Sequence, residues 1–116
     1  MDSKLEIALL GATGQVGKLY LKRVLDAGHT VRALVRDPSK IEPHENLTVL
    51  QGDATIADDV SSLVEGADLV VSCVGGSKGV YVMEATAKNV LAAVRGQDAP
   101  PKAILSRALD AMARHF

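Results

Sequence analysis

Apolar residues along this chain come in short blocks separated by turn-forming residues. Lys4–Leu10 (KLEIALL) is a mostly apolar run that stops at a glycine. Its length and punctuation predict a buried strand. Beyond a glycine-rich segment, Val16, Leu19, Val24 and Leu25 fall close to one helical face, and Gly28 supplies a stop signal. Thr30–Val35 (TVRALV) predicts a second strand, with Asp37-Pro38 turning the chain after it. Asn46–Gln51 (NLTVLQ) predicts a third, closed by Gly52-Asp53. A short helix over Asp58–Val64 ends near Gly66, and Asp68–Val74 (DLVVSCV) predicts a fourth strand, closed by Gly75-Gly76. Val82–Val94 reads as a helix. It carries Glu84 and Lys88 at the favourable i,i+4 spacing, with Val90, Leu91 and Val94 able to face a core. Pro100 and Pro101 break it. Lys102–Leu105 suits a fifth strand and residues 106–116 a helix with Leu109, Met112 and Ala113 on one side. Ile104, Leu105, Ala108, Leu109 and Met112 also suit one continuous helix across both.

Strands alternating with helices predict an α/β fold: a parallel sheet of about five strands, doubly wound, with helices on both faces. Right-handed crossovers give the strand order 3-2-1-4-5. Ligands of such sheets bind beyond the C-terminal strand ends, where the order reverses. In this chain that is the crevice between the first and fourth strands.

Composition narrows the choice. The 116 residues fit one domain, residues 1–116, and 47% of them are hydrophobic, enough for a core. The formal net charge of −1 is spread along the chain. That argues against a nucleic-acid partner, which calls for a basic stripe. No apolar run reaches membrane-spanning length, and the N-terminus lacks the pattern of a secretory signal. The single Cys73 forms no internal disulfide, and no Cys/His cluster has metal-ligand spacing. A soluble, cytoplasmic, metal-free protein is expected. His29, His44 and His115 fall in polar loops or the tail and read as solvated.

The segment LLGATGQVGK carries the most specific chemistry. Gly11, Gly14 and Gly17 recur every third residue, after a predicted strand and at the opening of a predicted helix. Gly11 allows a backbone conformation closed to other residues. A side chain at Gly14 would bar a phosphate from the backbone. Gly17 lets helix and sheet pack closely. The helix N-terminus offers amides and partial positive charge to a pyrophosphate, and Thr13, Gln15 and Val16 lie beside it. The Gly-Lys-Ser/Thr of a mononucleotide P-loop does not follow.

GATGQVG resembles the glycine loop of the short-chain dehydrogenase superfamily, and more narrowly its atypical, NmrA-like NAD(P)H-binding branch, which includes flavin reductase/biliverdin-IXβ reductase-like proteins. VRALVRDPSK, LQGDATIADDV, VVSCVGG and VMEATAKNVLAA resemble later segments of that branch, so the likeness runs from about Lys4 to Leu105. It implies a Rossmann fold and a nicotinamide dinucleotide. It also implies that Asp53 and the Ala54 backbone contact the adenine. Val74, Gly75 and Gly76, at the end of the fourth strand, are small enough for the ribose and nicotinamide to come close. Related full-length domains continue with further strands, so the resemblance implies a C-terminally shortened domain.

Arg36 directly follows the second strand and Lys40 is close behind. An Arg at this point accommodates the 2′-phosphate of NADP, and an acid would bind the ribose hydroxyls of NAD. Arg36 therefore favours NADP(H), while Asp37 keeps NAD open. Catalysis is less marked. The superfamily's Tyr-x-x-x-Lys pair is not formed by Tyr20, followed at that spacing by Val24, or by Tyr81, followed by Ala85. Tyr81, near the fourth-strand loop, and Ser106, after the fifth strand, are the remaining candidates. Cys73 reads as a packing residue. The readings that follow are an NADP(H)-dependent reductase of a small conjugated or flavin-type acceptor, a non-catalytic redox sensor, and an inactive fragment.

Overall fold

A computed structural model describes residues 4–74, 80–96 and 102–105. The elements run β1 (Glu6–Leu10), α1 (Gln15–Asp26), β2 (Thr30–Val35), β3 (Leu47–Gln51), α2 (Ala57–Val64), β4 (Leu69–Ser72), α3 (Val80–Arg95) and β5 (Lys102–Leu105), with a 3-10 turn at Pro38–Lys40. The five strands form one parallel sheet in the order β3-β2-β1-β4-β5. This is the doubly wound Rossmann arrangement that the alternating blocks predict. Lys102–Leu105 is a strand, which settles the choice against a helix there; residues 106–116 lie outside the described residues.

Because side chains alternate across a strand, β1 to β4 each feed two cores. Ala8 and Leu10 of β1, Leu34 of β2 and Val70 of β4 join Val60, Leu63 and Val64 of α2 and Val90 of α3. Ile7, Leu9, Val31, Ala33, Val35 and Val71 point the other way, toward Leu21 of α1. β1, at the centre, is buried from Ile7 to Leu10. That is why its sequence reads as a continuous apolar run rather than an alternating one.

Two helix faces differ from expectation. α1 presents Gly17 and Leu21 to the sheet, with Tyr20, Val24 and Leu25 partly buried, whereas Leu19 is 54% exposed and Val16 37%. The buried stripe is centred on Gly17 and Leu21 because a helix lying flat on a sheet covers only one narrow arc. For the same reason Leu91 of α3 is 40% exposed while Val90 is fully buried. α1 ends as Gly28 predicts: Gly28 N–H donates to Leu25 O and His29 N–H to Val24 O, the paired bonds of a glycine-closed helix end. His44 is exposed and His29 half-buried, and both also have structural tasks. Their Nδ1 atoms accept the N–H groups of Leu5 and Asn46 at 3.0 and 2.9 Å.

Candidate functional site

The glycine segment leaves β1 at its C-terminal end. Gly11 has φ +79°, and a Cβ on it would lie 2.7 Å from the carbonyl carbon of Cys73. Both facts require glycine there. The close approach exists because Cys73 N–H donates to Leu10 O at 2.8 Å, fastening the end of β4 to the end of β1. A Cβ on Gly17 would collide with the Gly11 carbonyl, so the third glycine lets α1 start directly against the turn. Gly14 is different. A Cβ there meets nothing nearer than Gly11 O at 3.7 Å. Protein packing therefore does not demand glycine at that position. Gly14 caps α1 with no side-chain hydrogen bond, so the first-turn amides, which lack intrahelical acceptors, point outward along the axis.

The facing wall follows β2. Arg36 is exposed, and its carbonyl accepts from Gln51 Nε2 at 3.4 Å. Asp37 does not pair with Arg36. Its Oδ1 accepts from Ser39 N–H at 3.1 Å and Ser39 Oγ at 2.6 Å, capping the 3-10 turn that Pro38 begins. The two Ser39 bonds hold the Asp37 carboxyl below the usual carboxylate range.

The third wall follows β3. Asp53 Oδ1 accepts from Thr55 N–H at 2.8 Å and Thr55 Oγ1 at 2.7 Å. These bonds, with a smaller contribution from the Arg36 charge, lower its pKa. Asp53 N–H donates to Asp59 Oδ2 at 2.9 Å, and Asn89 Nδ2 donates to Ala54 O at 3.0 Å. Reasoning from sequence missed Thr55, Asp59 and Asn89. The Asp-x-Thr spacing signals a local turn; nothing in the sequence links Asn89 to Ala54.

These walls enclose a crevice of about 280 Å³. Gly11, Thr13, Arg36, Lys40, Asp53, Ala54 and Val74 all line it, joined by Val82 of α3. Gly14, Gln15 and Val16 stand exposed at the start of α1, outside that lining. Gly75, Gly76 and Ser106 lie outside the described residues, as does the side chain of Tyr81. A larger cavity, about 460 Å³, opens between α1 and residues 40–44. It is away from the strand ends, touching the crevice only through Ala12 and Lys40. Tyr20 packs beside Cys73 on the α1 side of the sheet, where burial, and secondarily the Cys73 charge, raise its pKa. Among the described residues no helix is long and apolar enough to cross a membrane.

A positive-φ glycine, an uncapped helix end and an open Gly14 position suit the pyrophosphate of a dinucleotide. Comparison with known proteins agrees. A family model described as NAD(P)H-binding matches residues 11–112. A 3 beta-hydroxysteroid dehydrogenase/Delta 5-->4-isomerase of Mycobacterium tuberculosis is 41% identical over 64 residues, 55% of this chain and 17% of that protein. Eugenol synthase 2 of Clarkia breweri is 32% identical over 105 residues, 82% of this chain and 32% of that protein. A crystal structure of a mutant NmrA superposes with TM-score 0.65 at 26% identity, covering 79% of this chain and 31% of that one. The chain thus spans between about a sixth and a third of the length of these proteins. The matched family model, spanning the glycine turn and every crevice wall, shows that this chain belongs to the NAD(P)H-binding family of Rossmann-fold reductases and dehydrogenases.

Proposed function

We propose that residues 1–116 form one cofactor-binding domain that takes NADP(H) in the crevice, as part of a reductase passing hydride to a small conjugated or flavin-type acceptor. The observation that carries the choice of cofactor is the pair Arg36 and Asp37. The exposed Arg36 follows β2 and lines the crevice with Lys40, while Asp37 Oδ1 is committed to Ser39. A guanidinium can make paired hydrogen bonds to a 2′-phosphate, and a carboxylate with one oxygen tied into its own turn has only the other left for a pair of ribose hydroxyls.

In this reading the pyrophosphate lies on the start of α1, with Thr13, Gln15 and Val16 around it. Asp53 and Ala54 would contact the adenine, and Val74, Gly75 and Gly76 would accommodate the nicotinamide half. The bound dinucleotide supplies the hydride. The protein binds it, orients it and shields it from water. Tyr81 and Ser106 are the candidates for handling a proton.

Titration with NADPH and NADH, followed by nicotinamide fluorescence, tests the proposal. NADPH is expected to bind at least tenfold more tightly. Equal affinities would remove Arg36 from the account, and binding of neither would overturn it. NADPH oxidation dependent on quinones, flavins or aldehydes would support a reductase. Tight binding without turnover on any of them would point to a redox-sensing role instead.

A further inference from the structure

The loop after β3 is held from outside by two helices that pack side by side. Asp59 of α2 accepts Asp53 N–H from six residues away, a local bond. Asn89 of α3 donates to Ala54 O from 35 residues away. The second bond reaches further than its own geometry. The carbonyl of Ala54 and the N–H of Thr55 belong to one peptide group, and that N–H donates to Asp53 Oδ1 at 2.8 Å. The links therefore form a chain: the Asn89 amide, the Ala54–Thr55 peptide, the Asp53 carboxylate. A peptide whose oxygen accepts a hydrogen bond is a better donor at its nitrogen, so the bonds reinforce each other. Oδ1 of Asp53 is engaged twice, by Thr55 N–H and Oγ1, which fixes the orientation of the carboxylate.

We propose that Asn89 is a positioning residue for the adenine-side wall. It fixes the plane of the Ala54–Thr55 peptide and, through it, the orientation of Asp53. The inference rests on the proposed placement of the adenine against Asp53 and Ala54. It also joins the two halves of the crevice, because α3 carries both Asn89 and Val82, which lines the same space.

The test compares Asn89→Ala and Asn89→Gln with the parent in the full chain. Loss of one neutral hydrogen bond is expected to weaken NADPH and 2′,5′-ADP equally, by about fivefold, and to leave reduced nicotinamide mononucleotide unaffected. Asn89→Gln keeps the amide donor and should recover part of the loss. Without ligand, the Thr55 amide of Asn89→Ala should exchange with solvent faster than in the parent, while the amides of β1 and β4 exchange as before. Unchanged 2′,5′-ADP affinity, or equal losses for the adenosine and nicotinamide fragments, would overturn the proposal. So would unchanged exchange at Thr55. If the parent bound no dinucleotide, the functional reading itself would fail, and Thr55 exchange would still decide whether Asn89 holds the loop.

Discussion

Arg36 and Asp53 face one crevice from different strands, and their surroundings set what each can do. Arg36 is exposed and lines the crevice. Replacing it by Ala is expected to weaken NADPH roughly tenfold to a hundredfold, the range for a charge-assisted hydrogen-bonding group. NADH affinity should change by less than about twofold on the same argument; parallel titrations check the difference. Asp53 is partly buried as a residue, but its carboxylate is largely open to solvent and is stabilised by Thr55. Its lowered pKa means that the folded state gains stability where Asp53 is ionised in the unfolded chain as well. The gain is therefore present above the ordinary value of 3.8 and disappears as pH falls through the lower folded-state value. Thr55→Val removes the hydroxyl and keeps the backbone bond. Urea unfolding should show the variant less stable at pH 7 by at most about 1 kcal/mol, since the group is largely open to solvent. The gap should narrow below pH 4. A gap of the same size at pH 2 would assign the loss to packing instead.

At the scale of elements, burial is uneven in a way that predicts where the fold is vulnerable. Val60, Leu63 and Val64 of α2 are fully buried against β1, β2 and β4. Leu63→Ala is expected to cost about 2–5 kcal/mol, read by chemical denaturation, while Leu19→Ala on the exposed side of α1 should change stability by less than about 0.5 kcal/mol. Gly17→Ala should also destabilise strongly, because the new methyl would meet the Gly11 carbonyl and push α1 away from the turn. Gly14→Ala should fold normally and lose dinucleotide binding. The sequence made most of this framework legible. Thr30–Val35 and Lys102–Leu105 stand at their expected bounds, since strand runs and the turn residues around them are local signals. The exposure of Leu19 and Leu91 was not legible, because apolar spacing alone does not show how wide an arc of a helix its neighbour covers. Nor were the Asn89–Ala54 and Asp59–Asp53 bonds. Asn89 is a polar residue in a helix whose partner is chosen only when α2 and α3 pack together.

For the whole molecule, the crevice is assembled from segments that are far apart in sequence: the turns after β1, β2, β3 and β4, and the first turns of α3. Filling it should therefore stabilise the fold globally. At a concentration one hundred times its dissociation constant, NADPH is expected to add about 2.7 kcal/mol, raising the unfolding midpoint in a thermal melt. NADH at the same concentration should add less.

The placement of β1 has one more consequence. β1 precedes the other four described strands in the chain and is the central strand of the sheet, hydrogen-bonded on one side to β2 and on the other to β4. As the chain emerges from the ribosome, β1 acquires its first neighbour when Val35 has appeared, and its second only when Ser72 has. Until then the backbone groups along its second edge have no strand beside them. Pairing across such separations is slow, and unpaired apolar edges associate with one another. The strand at the centre of the finished sheet is thus an edge strand until β4 is made.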